Sequence, residues 1–430
     1  MNLHRKKNLT NLSQLLFGLS NFIFLTLKRY GIVLTNKYPF LIKVSWLFIK
    51  FFARVLFYLG IRICDTPGLG RIGHLVCEPL YIELLKRNSL TKGKIFIFPY
   101  KNIANPYVKS LLPKYNLFIK NPFLINILRL FIYADKISIE TSRDFDKISV
   151  DTSRAVHARS LIVPFYSLLN ENFQAKPFLK VPPRSDNQVE DLLTGLGIKN
   201  SDWYVCLHIR TDAYINDAKT RYRNSSFKNY LSAIEYIHSR GGKVVKVGEP
   251  DEFSNESYSG VIHYENSKYR NSKNDVLINS HCSFYIGNTS GLQAIPASSG
   301  IPVVGVNVTP LAACKIWGPQ DLAIPKLYFS KKTKEILGFK SLLNSPLGTF
   351  SHSFKIDEAS ISLLENSSEE ILWAVTEMYE KIFLKKTLTS DPTQLQVDFN
   401  NLFNQSHITF YSKTLISSKF LEKYKKYIYL

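Results

Sequence analysis

Between residues 200 and 310, short runs of β-branched and aromatic residues alternate with segments of helical period, and this alternation constrains the fold more than any other feature. The runs are YVCLHI (204–209), KVVKVG (243–248), GVIHY (260–264), SFYIG (283–287) and PVVGVN (302–307). Between them lie FKNYLSAIEYIHSR (227–240), in which Phe227, Tyr230, Leu231, Ile234 and Ile237 recur at helical spacing, then DVLINSH (275–281) and GLQAIPASSG (291–300). Near-continuous apolar strands alternating with helices imply a parallel sheet covered on both faces. The class is therefore α/β.

The N-terminal half repeats the pattern less cleanly. FYLGIRIC (57–64) reads as a short strand, DTPGLGRIG (65–73) as a glycine-rich turn, HLVCEPLYIELLKRN (74–88) as a helix with Leu75, Leu80, Ile82, Leu84 and Leu85 on its apolar side, and GKIFIFPY (93–100) as a second strand. Helices are expected at NPYVKSLLPKY (105–115) and NPFLINILRLFIY (121–133). PFLKVPPRSDNQVED (177–191) gathers proline and charge and reads as a linker, and the tail reads as helical at SSKFLEKYKKY (417–427). A chain of 430 residues is long for one core. The expected division is a basic amphipathic segment 1–56, a Rossmann-like domain 57–185, a second Rossmann-like domain 186–385 and a helical tail 386–430.

Charge is unevenly placed. The net charge is +21, yet residues 1–64 hold ten Lys/Arg and no Asp or Glu, the first acid being Asp65. NLSQLLFGLSNFIFLTLKRYG (11–31) has helical period but is too polar to span a bilayer well, and no small-residue cleavage site follows to make it a signal peptide. In YPFLIKVSWLFIKFFARVLFYLG (38–60), Lys43, Lys50 and Arg54 interrupt every apolar run while aromatics fill the gaps, as an interfacial helix on an anionic membrane requires. Simple packing of these helices on the protein is the plainer alternative. A nucleic-acid-binding arm fits poorly, because phosphate-binding tails are rarely this apolar. The expected location is cytoplasmic and peripheral, on the inner face of the membrane. The five cysteines (Cys64, Cys77, Cys206, Cys282, Cys314) show no ligand or disulfide spacing, which agrees with a reducing compartment.

Three stretches carry chemistry. In open α/β sheets ligands bind at the carboxyl ends of strands, where His208, Arg210 and Asp212 leave YVCL and Gly248 ends KVVKVG. Arg210 with Arg223 of RYRN would grip a diphosphate through guanidinium forks, His208 would donate to the same oxygens, and Asp212 would orient the arginines. The bland reading is an ion-pair network, Arg210 answering Asp212 or Asp217. GNTSG (287–291) places Asn288, Thr289, Ser290 and Gly291 between a strand and an expected helix, and a helix N-terminus is an anion site. Plain N-capping by Thr289 or Ser290 is compatible with that. A serine-hydrolase elbow would need glycine where Asn288 stands. GLGRIG (Gly68, Gly70, Gly73) matches G-x-G-x-x-G, but KIFIFPYKN (94–102) offers no acid for a ribose, which disfavours a nicotinamide or flavin enzyme. Those glycines would instead let a ligand approach, with Gly70, Gly73 and Asn105 lining an acceptor cleft. His74, Glu78 or Asp65 is the candidate general base of an inverting transfer, His74 and Glu78 lying one helical turn apart. Each has an equally bland reading as a polar helix-face residue.

The stretches CLHIRTDAY, RYRNSSFKNYLSAIEYIHSRGGKVVKVGEP and DVLINSHCSFYIGNTSGLQAIPASSGIPVVGVN resemble a family of bacterial glycosyltransferases found in surface-polysaccharide gene sets. GLGRIGHLVCEP and NIANPY (102–107) resemble its N-terminal half. The H-x-R step looks like the donor-phosphate motif of the fucosyltransferase superfamily, without that superfamily's other motifs. The resemblance implies the two-Rossmann-domain GT-B architecture, with Arg210 on the donor diphosphate, His208 beside it, and Ser290 and Gly291 lining a nucleotide-sugar pocket. It implies a nucleotide-sugar co-substrate, no cofactor and no metal, and no D-x-D motif occurs between residues 200 and 310. A transferase of a non-sugar group such as pyruvyl on the same architecture, and a non-enzymatic nucleic-acid-binding protein, are the alternatives.

Overall fold

The computed structural model describes residues 39–64, 68–89, 91–135, 176–213, 218–255, 257–315, 318–348, 356–357, 359–385, 393–403 and 412–430. Asp65, Asp217 and the expected helix at 11–31 lie outside these residues. The described chain forms two compact units, one of residues 39–104 and 112–135, the other of 105–111 and 176–430. Each is built on a parallel sheet, so the α/β class holds.

The first unit begins with α1 (Pro39–Tyr58), β1 (Ile61–Ile63), α2 (Ile72–Arg87) and β2 (Ile95–Pro99). FYLG is not part of the expected strand. Phe57 and Tyr58 end α1, and Gly60 at φ +81° turns the chain, a conformation that suits glycine. After α3 (Pro106–Leu111), which belongs to the second unit, come β3 (Asn116–Ile119) and α4 (Pro122–Asp135). The helix expected over 105–115 stops at Leu111, and β3 follows it. Pro113 cannot continue the helix, and NLFI pairs in parallel with β2. The sheet order is β1-β2-β3. All five leucines and isoleucines expected on the apolar side of α2 are buried, and so is nearly every residue between Leu75 and Leu85.

The second unit adds α5 (Asn187–Gly195), β4 (Tyr204–His208), α6 (Leu231–Ser239), β5 (Lys243–Lys246), β6 (Val261–His263), α7 (Ser272–Ser280), β7 (Phe284–Gly287), α8 (Ala294–Ser298), β8 (Val303–Val308) and β9 (Leu322–Pro325). α5 starts within the expected linker because the Asp186 carboxylate caps it by accepting from the Gln188 N–H. A small antiparallel sheet follows, β10 (Leu327–Ser330), β11 (Glu335–Ile336) and β12 (Ile361–Leu364), the last after α9 (Phe339–Leu343). The chain ends with α10 (Ser368–Phe383), α11 (Gln394–Asn401), β13 (Leu415–Ile416), α12 (Ser418–Lys423) and α13 (Lys426–Tyr429).

The main sheet has the order β13-β9-β8-β7-β4-β5-β6, all parallel. Its strands supply Val205, Leu207, Val244, Ile286, Val304 and Val306 to one core, which α6 closes with Ala233, Ile234 and Ile237. α10 packs on α6 and on β8 and β9. From β4 the strands proceed outward in one direction through β5 and β6, and in the other through β7, β8 and β9. β4 and β7 are therefore the neighbours at which the winding reverses, the place where doubly wound sheets open a crevice for ligands.

Candidate functional site

Both stretches singled out in the C-terminal half converge on this switch point. His208 pairs with Gly287 across β4 and β7, so His208–Arg210 and Asn288–Thr289 leave adjacent strand ends. A side chain at 287 would meet the His208 carbonyl at 2.9 Å, which only glycine avoids.

Asn288 is fully buried and holds the rim together. Its Oδ1 accepts from the Arg210 backbone N–H at 2.8 Å, and its Nδ2 donates to the Arg223 carbonyl at 2.6 Å and to Ser225 Oγ at 3.1 Å. The side chain expected to touch a ligand thus serves instead to fix both arginines. Arg210 is buried, with Nη2 donating to Thr220 Oγ1 at 2.8 Å. Arg223 lies 5.5 Å from the Tyr222 ring, and its Nε is buried with no hydrogen-bond partner among the described residues. Asp212 does not answer Arg210. It pairs with Arg221 at 3.0 Å and accepts from Asn224 Nδ2 at 2.8 Å.

His208 packs against Gly248, whose φ is +114° and where an added Cβ would approach the ring to 2.7 Å. Burial, then the Arg210 and Lys246 charges, push the imidazole down to about 4, so it is neutral at neutral pH. Its Nδ1 is buried and without a partner among the described residues. A neutral imidazole still carries one N–H and one lone pair, and so can donate to an anion's oxygen.

The helix start expected at Thr289–Gly291 is not there. A turn fills 291–293, and α8 begins at Ala294 and runs five residues. Thr289 Oγ1 accepts from the Thr309 N–H at 3.1 Å, and Ser290 Oγ from the Leu292 N–H at 3.2 Å. Neither caps a helix. Proline at 296 and the small residues of SGLQA favour a turn before a short helix.

Two supports were missed from sequence. Lys246, buried in β5, donates to Asp251 Oδ1 at 2.9 Å, Ser254 Oγ at 3.0 Å and Glu265 Oε1 at 2.9 Å, which fixes the segment carrying Gly248. A lysine inside a strand buried on both faces was the available signal, since such a charge demands partners. Lys326, after β9, donates to the Asn224 carbonyl beneath the Arg223 turn, and burial pushes it down to about 8. No sequence pattern pointed to Thr220.

In the first unit the GLGRIG turn opens α2 as expected. Glu78 is fully buried and His74 is 27% exposed, with Nδ1 2.8 Å from Glu78 Oε1. Gly68 makes room for the His74 ring, which would come within 2.4 Å of an added Cβ. Gly70 meets only Asn102 at ordinary contact distance, and Gly73 lies in the first turn of α2. The carboxylate fixes the tautomer in which Nδ1 carries the proton, leaving Nε2 as the basic nitrogen. Of the two base candidates among the described residues, His74 is the partly exposed one and Glu78 lies buried against it. Asn105 caps α3 by accepting from the Val108 N–H at 2.9 Å and donates to the Ser272 carbonyl at 2.8 Å. Both ends of its side chain are thus engaged inside the second unit. Among the described residues no group of three or more His, Cys, Asp and Glu is arranged to hold a metal ion.

No family model matches the chain, and no curated protein is similar to it. Among solved structures it is similar to a glycosyl transferase family 9 protein from Veillonella parvula, at 10% identity over 74% of this chain and 96% of that one, with a TM-score of 0.39. It is similar to the E. coli ADP-heptose LPS heptosyltransferase II at 12% identity, over 57% of this chain and 84% of that one, with a TM-score of 0.34. The UDP-GlcNAc 2-epimerase of Methanocaldococcus jannaschii matches at 13% identity, over 62% of this chain and 89% of that one, with a TM-score of 0.31. Likenesses this distant carry no argument about the reaction.

Proposed function

We propose that the chain is a GT-B-like glycosyltransferase that moves a sugar from a nucleotide-activated donor to a glycan or lipid-linked acceptor in cell-surface polysaccharide biosynthesis, working in the cytoplasm at the membrane. The observation that carries this reading is the convergence of Arg210, Arg223 and His208 on the β4/β7 switch point, with Arg223 Nε and His208 Nδ1 unsatisfied there among the described residues. A buried guanidinium N–H without a partner suits an anionic ligand, and two guanidinium groups suit a diphosphate.

In this reading Arg210 and Arg223 stabilise the departing nucleoside diphosphate as charge develops on its bridging oxygen, and His208 donates an N–H to the same group. Held by Asn288, Lys246 and Lys326, these groups need little reorganisation during the reaction. The acceptor hydroxyl gives its proton to His74 Nε2, and buried Glu78 stabilises the imidazolium that forms. The arginine pair supplies the charge compensation that this assignment requires without a metal or cofactor.

Titration calorimetry with UDP, ADP, GDP and CDP tests the donor site. One of them binds the wild-type chain, and Arg210→Ala weakens it about 10- to 100-fold, the loss expected for a charge-assisted contact to phosphate. Failure of all four to bind, or binding indifferent to Arg210→Ala, overturns the assignment. Salt-sensitive binding of RNA or DNA that survives Arg210→Ala would favour a nucleic-acid-binding protein instead. Release of nucleotide from one member of a nucleotide-sugar panel then identifies the donor.

A further inference from the structure

α1 carries apolar residues around most of its circumference, and the fold uses one side. Ala53 is buried, Phe57 packs against Ile63 and Leu128, and the helix lies on β1 and α4 of its own unit. On the other side Leu47, Phe48, Phe51, Phe52 and Tyr58 are each more than half exposed, as is Leu59 just past the helix. At 3.6 residues per turn those five helical positions fall on one arc of roughly 140°. Positions 43, 50 and 54, all cationic, fall on a single stripe along one border of that arc, and Arg54 is exposed.

A soluble surface rarely shows a contiguous apolar patch of this kind without a partner. The charge around it chooses the partner. Residues 1–64 hold ten Lys/Arg and no acid, so a second copy of the chain would bring like charges together. Anionic lipid headgroups answer them. Among the described residues no helix is long and apolar enough to cross a membrane, whereas a helix with cations bordering its apolar arc is suited to lie in the interface plane.

We infer that the outer face of α1 docks on an anionic bilayer surface, its exposed Phe and Leu side chains at the acyl boundary and the cationic positions 43, 50 and 54 forming the border that the headgroup charge answers. This rests on α1 alone and not on the transferase reading.

The test is flotation of the full-length chain with vesicles of phosphatidylcholine alone or mixed with phosphatidylglycerol. The wild-type chain floats with the mixed vesicles and at least about tenfold less with the neutral ones, because the headgroup charge supplies part of the attraction. Phe51→Ser/Phe52→Ser lowers partitioning to mixed vesicles by about tenfold or more with an unchanged melting temperature, since both rings face solvent. Lys50→Glu/Arg54→Glu abolishes the preference for phosphatidylglycerol. Equal binding to both vesicle types, or unchanged partitioning of the phenylalanine variant, overturns the proposal. So does conversion of a dimer to a monomer by that variant with lipid binding intact, which would make the face a contact between copies. Nucleotide titration on the same samples keeps the two readings apart, because docking can fail while nucleotide binds, and the reverse.

Discussion

At His208 the surroundings decide the protonation state. The ring lies against Gly248 with Arg210 and Lys246 nearby, and its pKa falls from 6.5 to about 4. The unfolded chain therefore binds a proton between about pH 6.5 and 4 that the folded chain refuses. The neutral ring's contribution to stability is complete above about 6.5 and is lost as pH falls through about 4. The ring resonances of His208 should titrate with a midpoint near 4, and His208→Gln should flatten the acid side of a plot of melting temperature against pH. A midpoint near 6.5 would show the ring to be solvated and unsuited to a closed anion site. Tautomer and burial are not written in an H-x-R triplet, which is why the sequence could nominate His208 but not say whether it carries charge. Asn288 shows the same gap, since an amide beside GNTSG reads equally well as ligand contact or strut, and only the partners at Arg210 N and Arg223 O decide for the strut.

The strands β4, β5, β7 and β8 were legible because burial on both faces leaves a continuous apolar run. The elements that escaped were those whose signal is a turn. GNTSGLQAIPASSG has the residues of a helix N-terminus, yet the Ser290 hydroxyl accepts from the Leu292 N–H in a local turn, the Thr289 hydroxyl is engaged by the Thr309 N–H of a distant strand end, and the helix does not begin until Ala294. NLFI became a strand because β2 offered an open edge, which no local propensity reports. The turn after β5 gives the sharpest test at this scale. Gly248 at φ +114° touches the His208 ring, so Gly248→Ala should cost about 1–3 kcal/mol in thermal or denaturant unfolding and should weaken nucleotide binding about tenfold by displacing His208. Unaltered affinity would mean that this turn does not border the ligand.

Across the whole molecule the proposed roles divide between the units: anion-binding groups in the second, the His74–Glu78 pair in the first. His74→Ala should abolish sugar transfer while leaving nucleotide affinity within about threefold of wild type, and Glu78→Gln should lower turnover less than His74→Ala does. Loss of nucleotide binding in His74→Ala would show the division to be wrong. The residue types of both groups were legible because strand ends and a glycine-rich turn advertise themselves in an α/β pattern. Which partner each group chose was not, because Glu78, Lys246 and Lys326 are fixed by burial that no short motif records. The short helix α3 belongs with the second unit although residues on both sides of it belong with the first, and Asn105 is clasped to Ser272, 167 positions later. A ribosome thus releases α3 long before the surface it rests on exists. A hybrid chain spliced once near residue 185 would inherit another protein's version of that helix, so moving the second unit whole into another chain calls for exchanging two pieces of sequence together.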